Sequence, residues 1–410
     1  MWTMRLAPIA VACALVPAVA VADPPRPVSV VGGKSAALGD WPDVAAILFP
    51  DDPNDPSLDD TLCTGTLVAP TVVLTAGHCY DPNNPPLPDN VLIGAATLAK
   101  PEQGEVIPIK QGFVYPDAEN SFDLAVLVLA RPSTRTPRKI VDAWARFDVV
   151  NGAKVSIVGY GATDAEAMTF VDELQEATTT ITDAGCAVSS GCEPATRPDG
   201  ELAAGGMGID TCPGDSGGPL YLMAGYGPVL AGVTSRGFDD ASLPCSDGGI
   251  YVRPDKVLDW IEMVAGVPVA RVSGPTADPI TAIRGDGGDI RIRVNDPANH
   301  SYRFDLVTPP AHGVANLRSD GAVRVCTDAE SPASDDQLTV MITDTEHPDR
   351  AMSVTVPIHI EDGMPPPRPC DINAFSESGG CCDAGGGSGG AIPLAIGVVA
   401  LARRRRRARG

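Results

Sequence analysis

Residues Asp210–Leu220 read DTCPGDSGGPL, and the demands of this stretch decide what the rest of the chain must supply. A serine hydroxyl is a weak nucleophile in water. To attack a carbonyl it needs a base, donors for the oxyanion and a backbone that fixes both. Gly214 lets the chain turn so that the amides of Gly214 and Ser216 converge on one point, where an oxyanion is stabilised. Asp215 stands beside the nucleophile as a carboxylate in need of a cation, Gly217 and Gly218 allow close approach of neighbouring strands, and Pro219 restrains the exit. The base lies upstream in Leu74–Cys79 (LTAGHC), where His78 is followed at once by a cysteine that can staple its position. Asp123, in FDLAVLVL at 122–129, precedes an apolar run and is expected to be held inside, fixing the tautomer of His78 and stabilising its charged form.

With TAGHC and GDSGGP in the order His78, Asp123, Ser216, residues 30–267 resemble the trypsin-like serine proteases of the chymotrypsin fold. The resemblance implies two antiparallel six-stranded Greek-key barrels with a C-terminal helix. It also implies hydrolysis of protein or peptide substrates through an acyl-enzyme on Ser216, without metal or cofactor. Apolar runs at 44–49, 65–68, 72–75, 91–93, 124–129 and 155–158, punctuated by Gly, Pro and Asn, agree with short barrel strands. In Pro254–Val264 the apolar residues Val257, Leu258, Ile261 and Val264 follow helical spacing.

Carried over residue by residue, the resemblance implies more. Val30 of VVGG becomes a new N-terminus whose ammonium pairs with Asp215, so the chain is expected to be a zymogen that depends on an activating protease. Ser29 precedes Val30 where the family often has Arg or Lys, so the activator is not a trypsin, or Arg26 is cut first and the end trimmed. Asp210 is placed on the floor of the pocket for the residue before the scissile bond, implying cleavage after Arg or Lys, with Gly237 and Gly249 as open walls and Ser235 beside them. Arg236 departs from the family's usual tryptophan; its guanidinium would either favour acidic neighbours in the substrate or reach toward Asp210. Cys63 and Cys79 are expected to join, as are Cys186 and Cys192, whereas Cys212–Cys245 is the family's bridge beneath the pocket. Ala203 stands where the family usually has a cysteine, so the adjoining loop is rearranged.

The 410 residues leave room for a second domain, and a formal charge of −22 excludes a nucleic-acid partner, because a phosphate backbone would be repelled. Residues 1–22 read as a signal peptide ending in Ala20-Val21-Ala22, and 23–29 as a propeptide; ten cysteines beyond the signal fit an oxidising compartment. The acidic segment 50–60 is read as a solvated insertion rather than a calcium loop. Residues 268–363 carry alternating strands at 290–294, 302–307, 323–326, 338–343 and 354–360 with TPPAHG as a turn. They resemble bacterial immunoglobulin-like or cadherin-like sandwiches, a spacer or an adhesion module, in which Cys326 would pair with Cys370.

Residues 364–380 form a linker. In 381–410, Cys381 and Cys382, a glycine-rich stretch, an apolar run and Arg403–Arg407 resemble the MYXO-CTERM sorting signals of myxobacteria. That tail implies a sorting enzyme acting at Cys381 or Cys382 and a final place on the cell surface or outside the cell. The competing reading is a protease-like binding protein that uses the fold for adhesion; the presence of His78, Asp123, Ser216, Gly214 and Asp215 argues against it.

Overall fold

The computed structural model describes residues 30–376 except 51–62, 84, 117–121, 194–199, 226, 298–299 and 331. Most of the acidic segment 50–60, and the stretches read as signal peptide, propeptide and sorting tail with Cys381 and Cys382, therefore lie outside the described residues. The described part is almost all β, as expected.

A two-residue strand, β1 (Lys34–Ser35), precedes the first barrel, which is built from β2 (Val44–Leu48), β3 (Cys63–Ala69), β4 (Val72–Thr75), β5 (Asn90–Ile93), β6 (Glu105–Val114) and β7 (Ala125–Leu129). These six close in the order β2-β3-β4-β7-β6-β5, antiparallel throughout. The second barrel comprises β8 (Lys154–Gly159), β9 (Gln175–Asp183), β10 (Glu201–Ala204), β11 (Pro219–Ala224), β12 (Gly227–Gly237) and β13 (Gly249–Val252). It runs β9-β10-β13-β12-β11-β8 and closes through β8 on β9, with β1 added to the outer edge of β9.

Strand faces explain why these segments read as continuous apolar runs rather than alternating ones. In β2, Ala45 and Ile47 fill the first barrel with Leu67, Val73, Val91, Ile93 and Leu127. Val44 and Ala46, on the other face, pack between the barrels with Leu74, Val158, Leu230 and Val252. The second barrel holds Val155, Ile157, Ile181, Leu202, Leu220 and Tyr251. Both faces are buried, so both are apolar. A polar knot crosses the same seam: Arg138, from the segment joining the barrels, binds Asp43 of the first barrel through Nε at 2.9 Å, and lies 4.7 Å over the ring of Tyr221 from the second.

The run 254–264, expected to be helical, is divided. Pro254–Lys256 is a 3-10 turn, with buried Asp255 paired to Arg253 at 2.9 Å, and the α-helix α1 spans Leu258–Ala265. Val257, with φ −133, lies outside the helix that its sequence spacing had included. Leu258 and Ile261 enter the core between the barrels, and the ring of Trp260 meets that of Tyr115 edge-on at 4.8 Å.

Beyond α1 the chain forms two further sheets. One contains β14 (Ile280–Ile283), β16 (Tyr302–Thr308), β19 (Ser334–Asp344) and β20 (Ala351–Glu361), in the order β14-β20-β19-β16. The other, ordered β15-β18-β17, contains β15 (Gly287–Arg291), β17 (Gly313–Leu317) and β18 (Ala322–Thr327). Ile280, Val323, Val325, Leu338, Val340 and Val356 from the two sheets share one core, so the region is a β-sandwich. The strand expected at 290–294 is displaced to 287–291. Ile290 and Ile292 do turn inward, but the ladder partner β18 ends at Ala322 opposite Arg291, so pairing stops there. The Cys326–Cys370 bridge is present.

The sandwich is not a free appendage. Between the barrels, Ala143–Asp148 forms a 3-10 helix whose Trp144 enters the sandwich core, donates Nε1–H to the Val294 carbonyl at 2.9 Å and lies 5.3 Å from the ring of Tyr302. Arg350 of the sandwich reaches Asp148 at 3.3 Å. Trp144→Ala is expected to cost about 3–5 kcal/mol. In thermal denaturation it should split one transition into two, and limited proteolysis should cut first between 266 and 280.

Candidate active site

The strand β4 ends at Thr75, and the chain turns at once into a 3-10 helix over Gly77–Tyr80 that carries His78. The turn is held from both sides. Cys79 is bonded to Cys63 at the head of β3, and the backbone N–H of His78 donates to Asp123 Oδ1 at 2.8 Å. A side chain at Gly77 would place its Cβ 3.0 Å from that same oxygen, so glycine is what lets the carboxylate come so near.

Asp123 sits just ahead of β7 between the fully buried Phe122 and Leu124. Its Oδ2 accepts from His78 Nδ1 at 2.7 Å and from the Ser235 hydroxyl at 2.8 Å. Burial alone would raise the Asp123 pKa; the hydrogen bonds and charge of His78, with Ser235, outweigh it and hold the carboxyl below its ordinary range. For His78, burial pulls the pKa down, but the bond to Asp123 and its negative charge prevail and raise it above 6.5. The tautomer with Nδ1 protonated leaves Nε2 free to accept a proton.

Ser216 is brought to the same place by a residue the sequence reading passed over. Thr64, the second residue of β3, is fully buried; its N–H donates to the Ser216 carbonyl at 2.8 Å and its Oγ1 to the Gly214 carbonyl at 2.9 Å. Thr75 in turn donates to the Thr64 carbonyl at 2.8 Å. With the carbonyls of Gly214 and Ser216 held from behind, their amides are left over: among the described residues no group accepts from either. Gly214 has φ +98 and Gly217 φ +79, and a Cβ at Gly217 would lie 2.1 Å from Thr75 Oγ1. This backbone requires glycine at both. The available signal was the pair of threonines, Thr64 and Thr66, inside an otherwise apolar strand.

Asp215 is wholly enclosed. Oδ1 accepts from Gly161 N at 2.8 Å and Oδ2 from Cys212 N at 2.9 Å, and a Cβ on Gly159 or Gly161 would collide with the carboxylate. Burial, against the pull of those two amides, pushes its pKa up to about 7. No cation pairs with it among the described residues. Val30 is fully buried in the second-barrel core, and the next residue, Val31, bridges Asp210, whose N–H donates to the Val31 carbonyl at 3.2 Å. Gly32 follows at φ +80 with the Gly208 carbonyl where a Cβ would be.

Asp210 is 2% exposed and accepts three backbone N–H groups, from Thr211 at 2.8 Å, Ser246 at 2.9 Å and Gly248 at 3.0 Å. It is therefore not a surface loop acid. Burial dominates those amides, with Asp247 adding to it, and pushes the pKa up to about 6. A Cβ on Gly249 would lie 3.4 Å from Asp210 Oδ1, so glycine there keeps the carboxylate's side clear, while one on Gly237 would meet nothing nearer than the Pro244 carbonyl at 4.0 Å. The Cys212–Cys245 bridge lies next to Asp210, and Cys186–Cys192 closes its own loop, as expected from the sequence.

One expectation for this region changes. Arg236 neither reaches Asp210 nor presents an unpaired charge: it forms a two-pronged ion pair with Glu201, at 3.0 Å and 2.9 Å. The reason is that Glu201 on β10 is fully buried and needs a counter-ion, which nothing in the local sequence around Arg236 announces. Ser235, grouped by the resemblance with the substrate-binding residues, turns its hydroxyl to Asp123.

The two His, Cys and acidic groupings among the described residues, Cys63–His78–Cys79 and Cys186–Cys192–Glu201, each contain a disulfide. Their sulfurs are already bonded, and His78 and Glu201 are engaged by Asp123 and Arg236.

The arrangement of imidazole, buried carboxylate, serine and two unclaimed amides can do the chemistry of acyl transfer, and comparison with known proteins agrees. The family model described as Trypsin matches residues 30–261. A trypsin of Saccharopolyspora erythraea is 32% identical over 236 residues, 56% of this chain and 95% of that one. Brachyurin of Leptuca pugilator is 32% identical over 249 residues, covering 58% and 99% of the two chains. Glucanase inhibitor protein 3 of Phytophthora infestans is 32% identical over 220 residues, covering 51% and 80%. The chain belongs to the trypsin family of serine proteases, with the chymotrypsin fold.

Proposed function

We propose that the protein is an exported serine endopeptidase, made as a zymogen, that cleaves after Arg or Lys and is sorted to the cell surface. The observation that carries the catalytic part is the convergence on one seam of His78, fixed through Nδ1 by Asp123, and the Ser216 backbone, held by Thr64. His78 takes the proton of Ser216 as its hydroxyl attacks the peptide carbonyl. The amides of Gly214 and Ser216 receive the oxyanion; His78 then protonates the leaving amine, and water releases the acyl group. Labelling with a fluorophosphonate should mark Ser216 in the activated wild type. Asp123→Asn should lower kcat by roughly 10⁴-fold with little change in fold. Because the His78 pKa is raised and the neutral imidazole is the active form, kcat/KM should fall as pH drops through a value above 6.5.

Specificity rests on Asp210. A buried carboxyl lifted to about 6 for want of a cation regains its charge when a guanidinium or ammonium enters. Asp210→Ser should reduce kcat/KM for Arg and Lys peptides by about 10²–10⁴-fold while sparing small apolar residues at that position. KM for basic substrates in the wild type should rise as pH falls below about 6.

Activation rests on Asp215 and Val30. In the uncleaved chain the Asp215 pKa of about 7 exceeds its ordinary 3.8, so its contribution to stability is complete below 3.8 and is lost as pH rises through about 7. An ammonium freed at Val30 would supply the missing charge. As pH rises from 3.8 through about 7, the melting temperature of the uncleaved chain should therefore fall relative to that of a chain starting at Val30. N-terminal sequencing identifies the two forms.

Residues 1–22 as a signal peptide, and processing at Cys381 or Cys382 by a sorting enzyme, complete the reading; mass spectrometry of exported material tests both. The relationship to a protein named as a glucanase inhibitor supports a second reading, a chain that binds without cleaving. A Val30-starting chain that takes no fluorophosphonate would establish it.

A further inference from the structure

Arg236 lies between Ser235, which is bonded to Asp123, and Gly237 at the pocket wall, so it borders the seam without touching Asp210. Its guanidinium is immobilised. Nη1 donates to Glu201 Oε1 at 3.0 Å and to Ser235 Oγ at 3.2 Å; Nη2 donates to Glu201 Oε2 at 2.9 Å and to the Gly191 carbonyl at 2.7 Å. The Glu201 side chain is fully buried and also accepts the Glu193 N–H at 2.9 Å, so the far end of the pair is anchored as well. Glu201 on one side and Ser235 on the other fix the fork in its plane, and any rotation would strand a buried carboxylate.

We propose that Arg236 is a positioning residue for the Asp123–His78 pair, acting through the Ser235 hydroxyl. This rests on the reading of His78, Asp123 and Ser216 as the catalytic triad. The Ser235 oxygen accepts a hydrogen bond from a cation, so its O–H has a single direction left and points to Asp123 Oδ2 at 2.8 Å. A hydroxyl polarised by a cation is also the stronger donor. The positive end of the ion pair faces both Ser235 and the Gly191 carbonyl of the Cys186–Cys192 loop, and its negative end accepts from Glu193 just beyond that loop. Asp123 thus receives a strengthened third donor beside the two from His78, which fixes the carboxylate and makes it less basic. A less basic Asp123 stabilises the imidazolium less. Removing Arg236 therefore leaves Asp123 more basic and moves the acid limb of activity to higher pH. The Arg236 side chain is 30% exposed, but its charge is already matched by Glu201 and is not left over for acidic side chains of a substrate.

The test uses the full activated chain. Arg236→Gln with Glu201→Gln removes both charges together, and Arg236→Met with Glu201→Met does so with apolar side chains of similar length should the amide pair fail to fold. In either, the acid limb of kcat/KM is expected to rise by about half a pH unit, about a threefold loss on the acid side, with KM unchanged. The low-field proton resonance of His78 Nδ1–H should move with it. In a Ser235→Ala background the same double substitution should move neither, because the intermediary is gone. An unchanged limb and resonance in the Ser235 background, or an equal displacement persisting in Ser235→Ala, would overturn the proposal. A Val30-starting wild type that takes no fluorophosphonate would sink the triad reading instead. The His78 resonance needs no turnover and would still decide the role of Arg236.

Discussion

Each barrel encloses its own apolar core, so neither core specifies how the two are set against each other to within the fraction of an ångström that proton transfer demands. That registry depends on a few buried hydrogen bonds across the seam: Thr64 to the carbonyls of Gly214 and Ser216, and Ser235 to Asp123. Apolar contact tolerates sliding; a buried donor left without its acceptor costs about 1–3 kcal/mol. The polar bonds therefore select one arrangement out of several that the hydrophobic effect would accept. They also run in both directions, since Thr64 reaches from the first barrel into the second and Ser235 from the second into the first. The His78 turn, stapled by Cys63–Cys79, and the Gly214–Gly217 backbone are each fixed locally and then pinned to one another.

Six acids of the two barrels fall into three groups by what balances them. Asp43, Glu201 and Asp255 each face a guanidinium, from Arg138, Arg236 and Arg253. Asp123 faces an imidazole and a hydroxyl. Asp210 and Asp215 have only backbone amides, and their pKa values are pushed up to about 6 and about 7. In the proposed function the cations for these last two come from outside the mature core, one from the substrate and one from a newly made chain end. Two incompletely balanced carboxylates, both in the stretch 210–215 that leads into Ser216, make that stretch's stability responsive to both events.

Much of this was legible in the sequence because the chemistry is written in contiguous residues. A glycine that must admit an oxygen, a cysteine adjoining a histidine and an acid before an apolar run are local constraints. His78 and Asp123 are joined as those constraints implied, and the bridges at Cys63, Cys186, Cys212 and Cys326 are formed, the Cys212 one as the family resemblance implied. What could not be read depends on partners distant in the chain. The fate of Arg236 is decided by Glu201, 35 residues away. The extent of β15 is decided by where β18 ends, since alternation names the buried face but not the length of the ladder. The helix starts only at Leu258 because the backbone at Val257 is not helical, with φ −133, which apolar spacing does not reveal. Trp144, which joins the sandwich to the barrels, carries no local mark of a docking role; its indole finds an acceptor only at Val294, 150 residues on.

The Cys326–Cys370 bridge has a mechanical consequence. The last strand, β20, lies beside β19 and β14, and a pull on the chain beyond it would ordinarily peel it from its neighbours one hydrogen bond at a time. With Cys370 bonded to β18, which is paired on both sides in the opposite sheet, tension arriving beyond residue 370 bypasses β20. It is delivered along a strand whose two ladders must break together, so the sandwich resists in shear where it would otherwise unzip.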